Sequence, residues 1–123
     1  MTKTVAVVGA SNDRRKFGNK ALRAFQAKGY TVFAINPNED EVEGAPTYRS
    51  VLDVPGPIDM ATVYVQPHVG LELLPEFERK QIPEIWFNPG AESDEILIDA
   101  RRRKLNVIAA CSIIGIGETP DDY

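Results

Sequence analysis

Five short segments hold most of the side chains able to do chemistry, and each directly follows an apolar run. They are Gly9-Ala10-Ser11, Asn36-Pro37, Gln66-Pro67-His68, Asn88-Pro89-Gly90 and Cys111-Ser112. The first is the most informative. Small residues allow a backbone to approach a ligand closely. Arg14, Arg15 and Lys16 follow, and a helical pattern opens just beyond them. A helix start offers unpaired N–H groups and the positive end of its dipole, which together suit an anion such as phosphate. Ser11 can add a hydroxyl and Lys16 or Arg15 a charge-assisted contact. Arg14, Arg15 and Lys16 also read as solvated loop charges, the usual state of a charge run.

Other chemistries fit less well. The dinucleotide fingerprint G-x-G-x-x-G is absent, because Ala10 and Ser11 follow Gly9 and the next glycine is Gly18. The second strand exit carries Asn36-Pro37, where a NAD site places an acid on the ribose hydroxyls. An acid there repels a ribose phosphate, and a neutral Asn tolerates one. Glu39 and Asp40 lie further out and are expected to face solvent. No Gly-Lys-Ser/Thr sits at Walker-A spacing, so nucleoside triphosphate hydrolysis has no support. His68 could move a proton or simply begin a helix. Cys111 could act as a nucleophile or fill space at a strand end. No Cys, His or Asp cluster has metal-ligand spacing. The prolines at three exits either punctuate the strands or shape a rigid crevice.

The elements that must position these residues are legible in the apolar runs. Thr4–Val8, Thr31–Ile35, Met60–Val65, Glu84–Phe87 and Val107–Ala110 read as buried strands. Asn19–Lys28 reads as a helix with Ala21, Leu22 and Phe25 on its apolar face and Gly29 as its stop. Val69, Leu73 and Phe77 mark a second helix, which Pro75 must kink or divide. Ser93–Lys104 reads as a third, capped by Ser93 and with charges matched to its dipole. Tyr48, Val51 and Leu52 should anchor a short helical turn on the sheet. Alternating strands and helices predict an α/β fold with a doubly wound, parallel five-stranded sheet and helices on both faces. The expected strand order is 3-2-1-4-5, so ligands belong outside the strand ends where the order reverses beside strand 1.

Composition bounds the rest. A chain of 123 residues is one domain's worth, 1–123. The net charge of −4 gives no reason to expect nucleic acid or an anionic membrane, and no apolar run is long enough to span a bilayer. One cysteine and no recognisable leader make the cytoplasm the expected location. A homo-oligomer or a protein partner is compatible with all of this.

Taken in order, several of these residues resemble a known family, the small single-domain CoA-binding proteins. Their fold matches the CoA-binding domain of the succinyl-CoA synthetase α-subunit. The resemblance rests on Val8-Gly9-Ala10-Ser11, Gly29-Tyr30, Ile35-Asn36-Pro37, Gly44, Tyr48, Asp59, Val65, Pro67, Trp86-Phe87-Asn88-Pro89-Gly90-Ala91 and Cys111. It covers nearly the whole chain and implies a Rossmann-like domain with coenzyme A or an acyl-CoA across the strand ends. It places the phosphate loop on Gly9, Ala10 and Ser11, with Lys16 as charge partner. Adenosine contacts fall on Asn36, Pro37, Val65, Gln66 and Pro67, and Asn88, Pro89 and Gly90 line the pantetheine side. Two features depart from the family. Many relatives carry a helix before strand 1, and the cysteine after strand 5 is often followed by a Glu-His pair, where this chain has Ser112-Ile113.

Three readings stay open on the sequence alone: a CoA or acyl-CoA binding module, an NAD(P)-type nucleotide-binding protein, and an interaction domain with a vestigial pocket. The strand exits contain no evident nucleophile and base pair, which favours binding over catalysis.

Overall fold

The computed structural model describes residues 2–123. Six parallel strands form one sheet: β1 (Thr4–Val8), β2 (Thr31–Ile35), β3 (Thr47–Tyr48), β4 (Met60–Val63), β5 (Ile85–Phe87) and β6 (Val107–Ala109), in the order β3-β2-β1-β4-β5-β6. The α/β parallel architecture agrees with the sequence expectation. The sixth strand is the two-residue β3, which pairs Thr47 with Ala34 and Tyr48 with Ile35. It lies beside Pro46 and next to an acidic, glycine-containing loop, so no apolar run announces it. By occupying the edge beside β2, β3 leaves the Met60 strand on the far side of β1, where Val5 pairs Met60 and Val8 pairs Val63. The order still reverses beside β1.

The central strands are buried on both faces, which explains their unbroken apolar character; Val5, Ala6 and Val7 are fully buried. Helix α1 (Phe17–Ala27) lies on one face, where Leu22 and Phe25 pack with Val5, Val7 and Ile113. Helices α2 (Pro67–Lys80) and α3 (Asp94–Arg102) cover the other through Leu74, Phe77, Ile96 and Ala100. A short helix α4 (Ser112–Gly115) closes the chain back onto α1.

Local chemistry sets the helix ends. Gly29 takes a φ of 85°, and the Tyr30 N–H reaches the Phe25 carbonyl at 3.1 Å, so α1 stops where the glycine allows a left-handed turn. Ser93 caps α3 by accepting the Ile96 N–H at 3.2 Å. Pro67 opens α2 as its first residue, where its missing N–H costs nothing. Pro75 does not divide α2, which runs as one element through it. The expected helical turn near Val51 is a single 3-10 turn over Val51–Asp53, capped by the Ser50 hydroxyl.

Candidate functional site

The chain leaves β1 through Gly9, whose φ is 87° and whose N–H bonds the Ile35 carbonyl at 3.0 Å. A Cβ at Gly9 would stand 2.9 Å from Val65 Cγ1 and 3.1 Å from the Tyr64 carbonyl. The close approach of β1 to the β4 exit therefore requires glycine. Gly18, in the first turn of α1, has the same requirement: its Cβ would lie 2.6 Å from the Gly9 carbonyl oxygen. The nine-residue offset hid Gly18 from a search for the fingerprint spacing, yet it provides close packing of helix on strand exit.

Between these glycines the loop is held by its own side chains. Ser11 accepts the Asp13 N–H at 3.0 Å, which leaves the hydroxyl proton free to donate. The N–H groups of Ala10, Ser11, Phe17 and Gly18 have no acceptor among the described residues. The three loop cations separate. Arg14 pairs with Glu43 at 2.8 Å, and Arg15 with Asp13 at 2.9 Å. Lys16 has no carboxylate partner among the described residues and lines a cavity with Ser11 and Gly18. Asn19 explains how Arg14 is held. Fully buried, it donates to the Ser11 carbonyl at 2.8 Å and to Glu43 at 3.0 Å, and accepts from Arg23 at 2.7 Å. Hydrogen bonds from Arg14 and Asn19 hold the Glu43 carboxyl down at about 2.

Two cavities meet at the sheet's C-terminal edge. The polar one, of about 540 Å³, is bounded by Ser11, Lys16, Phe17, Gly18, Pro89 and Gly90. The other, of about 440 Å³, has apolar walls from Ile35, Val51, Val65, Val69, Leu73 and Phe77. Gly9, Asn36, Asn38, Tyr64, Val65 and Gln66 border both. Arg49, Ser50 and Glu76 add a polar patch to the apolar cavity; the Ser50 hydroxyl donates to Glu76. These three were missed in the sequence. Glu76 had a usable signal: it continues the helical spacing of Val69 and Leu73, where an apolar residue would be expected. Phe17 was missed as well; the residue is 55% exposed and borders the polar cavity.

Nine of the twelve sequence-predicted site residues border one of these two cavities: Gly9, Ser11, Lys16, Asn36, Pro37, Val65, Gln66, Pro89 and Gly90. Ala10 is buried beneath the loop, and Pro67 lines a separate depression of about 510 Å³ with His68. Asn88 is buried and fully engaged. Its amide donates to Thr62 Oγ1 at 2.7 Å and the Val63 carbonyl at 3.0 Å, and its Oδ1 accepts the Ser112 N–H at 2.8 Å. Thr62 and Ser112 hydroxyls bond at 2.7 Å, with the Tyr64 hydroxyl 3.3 Å from Ser112. Burial pushes Tyr64 up to about 12, so its phenol stays protonated in any ordinary buffer. Asn36 is also bonded, to the Ala10 carbonyl at 2.7 Å and the Asn38 N–H at 2.8 Å, but keeps a face on both cavities. Glu39 is exposed as expected, though it reaches the polar cavity's rim and accepts from Asn12. Cys111 is half-buried and borders neither cavity.

Residues 3–116, nearly all of the chain that forms these cavities, match the family model for a CoA binding domain. The chain belongs to the CoA binding domain family. A conserved hypothetical protein from Pyrococcus furiosus of solved structure superposes with a TM-score of 0.84 at 35% identity, covering 94% of this chain and 99% of that one. The α-subunit of an ADP-forming acetate–CoA ligase, also from Pyrococcus furiosus, is 39% identical over 62 residues. That match covers 50% of this chain and 14% of the ligase subunit, so the chain corresponds to a small part of that protein. The uncharacterised protein YneT of Bacillus subtilis is 29% identical over 94 residues, which span 76% of this chain and 70% of YneT. This CoA binding domain is thus homologous both to a segment of a ligase subunit and to proteins of its own size. Among the described residues, no helix is long and apolar enough to cross a membrane, and no cluster of His, Cys, Asp or Glu could hold a metal ion.

Proposed function

We propose that this CoA binding domain binds coenzyme A or an acyl-CoA across the two joined cavities, as a binding or regulatory module without catalysis of its own. One observation carries the reading. An apolar cavity and a polar cavity share the wall from Gly9 to Asn36 and Val65, and the polar one holds unpaired N–H groups and the unpaired Lys16. A ligand with a flat base at one end and a diphosphate beside it needs that pairing. In this reading Ile35, Pro37 and Val65 flank the adenine, with Glu76 as a fixed acceptor for its amino group. The N–H groups of Ser11 and Gly18, the Ser11 hydroxyl and Lys16 hold the diphosphate. Pro89 and Gly90 border the way out for the pantetheine arm. Gln66 and Asn36 complete the wall, and Asn88 acts from below by fixing the β4 and β5 exits.

Binding without catalysis is supported by the state of the polar groups. No histidine or cysteine borders either cavity among the described residues. Glu76 is engaged by Ser50 and Glu39 by Asn12, while Tyr64 keeps its proton. Coenzyme A should raise the melting temperature of ligand-stripped protein, because a ligand selective for the folded state must stabilise it. NAD and ATP should do so far less. A shift with NAD and none with millimolar coenzyme A would replace this reading with the NAD-type one. Steady thiol release from acetyl-CoA or succinyl-CoA would contradict the non-catalytic part.

A further inference from the structure

Two cations border the joined cavities among the described residues, and they lie in different ones: Lys16 in the polar cavity and Arg49 in the apolar cavity. Arg14, Arg15, Arg102 and Arg103 each pair with a carboxylate, but among the described residues no carboxylate forms an ion pair with Arg49. Its position follows from the sheet. Tyr48 pairs with Ile35 in parallel register, and the Tyr48 carbonyl accepts the Asn36 N–H at 2.9 Å. Arg49 therefore leaves β3 level with the β2 exit. In sheets of this winding, the β2 exit is where the ribose of a bound nucleotide sits. Within the same cavity Arg49 is exposed, whereas Glu76 is half-buried and held by Ser50. The cation thus stands at the rim and the carboxylate further in, so an anion at the rim meets Arg49 first.

We infer that Arg49 recognises a phosphate monoester on the ribose of the bound nucleotide, which makes the site select a ribose-phosphorylated ligand over its dephosphorylated form. This rests on the coenzyme A reading for the identity of the ligand, but the chemistry belongs to any ribose phosphomonoester. Such a group carries close to two negative charges near neutral pH. A guanidinium matches its oxygens with paired donors, which an ammonium does not. Asn36, neutral and tied to Ala10 and Asn38, adds no opposing charge. Lys16, across the shared wall, is left to the diphosphate that both forms of the ligand carry. The two cations therefore have separable effects.

The test is calorimetric titration of the wild-type chain, Arg49→Ala and Lys16→Ala with four ligands: coenzyme A, 3′-dephospho-coenzyme A, NADP and NAD. Wild type should bind coenzyme A about tenfold tighter than the dephospho form, as one charged hydrogen-bonded contact implies. Arg49→Ala should reduce that ratio to near one and leave affinity for dephospho-coenzyme A almost unchanged. Lys16→Ala should weaken both by a common factor. A ratio that survives in Arg49→Ala, or an equal loss for both ligands in that variant, overturns the inference. An Arg49-dependent preference for NADP over NAD, without binding of either coenzyme A form, would uphold the role of Arg49 and overturn the coenzyme A reading. Binding of none of the four overturns both. Arg49 is exposed, so an unchanged melting temperature should confirm that the Arg49→Ala variant remains folded.

Discussion

Asn36-Pro37 and Asn88-Pro89 are the same dipeptide at the ends of two strands, and the fold uses them differently. Asn36 bridges two loops at the surface of the cavities, with one bond to each side. Asn88 lies beneath them and ties three chain segments: β4 through Thr62 and Val63, its own β5 exit, and the start of α4 through Ser112. Position in the sheet decides this. The β2 exit lies between the first loop and the short edge strand β3, where Asn36 and its neighbours border open cavity. The β5 exit is covered by the chain returning from β6, so its Asn must satisfy buried groups. An identical motif therefore belongs to the cavity wall in one place and to the scaffold in the other.

Replacing each Asn should expose the difference. Asn88→Ala strands the Ser112 N–H, removes a partner of Thr62, and leaves the Val63 carbonyl only the bond from the N–H of residue 88 itself. Urea unfolding should show a loss of about 3 kcal/mol, because several buried polar groups lose partners together. A loss below about 1 kcal/mol would place Asn88 with Asn36 as a surface connector.

Asn36→Asp should act on ligand choice more than on stability. It keeps an acceptor for the Asn38 N–H but sets a carboxylate against the Ala10 carbonyl, and it puts negative charge at the β2 exit. Titration should show coenzyme A binding weakened by about tenfold or more, with NAD affected far less or improved. Equal weakening of both would mean that the β2 exit does not face the ribose.

The smallest effect lies behind the β1 exit, in the contacts that brace the first loop. Glu43 is held at about 2 from an ordinary 4.5, first by Arg14 and then by Asn19. A depressed carboxyl stabilises the fold above pH 4.5, and that contribution is lost as pH falls through about 2. Across this window the unfolding free energy of Glu43→Gln should fall less steeply than that of wild type. Identical slopes would show that the Arg14 pair forms equally in the unfolded chain.

Much of this layout was legible in the sequence because the core strands are unbroken apolar runs and the helix ends carry their own signals. Ser93 capped α3, and Gly29 ended α1, as their types required. What escaped was non-local. The strand β3 is two residues long and exists only because β2 offers it an edge. Gly18 is needed for a contact with Gly9 that no fixed spacing encodes. Val69 and Leu73 were read only as marking a helix, and they are half-buried cavity walls, since helical period gives a face and not what the face meets. The run of Arg14, Arg15 and Lys16 looked uniform, and only the fold could supply Glu43 and Asp13 as partners for two of the three. Arg49, Ser50 and Glu76 converge from a loop and a helix separated by β4, so no local pattern shows that they meet.

In the proposed binding mode, coenzyme A lies on the β1 exit and spans both cavities. Amide shifts of a nitrogen-15-labelled sample titrated with coenzyme A test it most directly. The largest changes should fall on Ser11, Phe17 and Gly18, which line the polar cavity and whose N–H groups have no acceptor among the described residues, with a second set at Asn36, Asn38, Val65 and Gln66. Changes confined to the depression beside His68, or to the groove between α2 and α3, with the first loop unmoved, would contradict it.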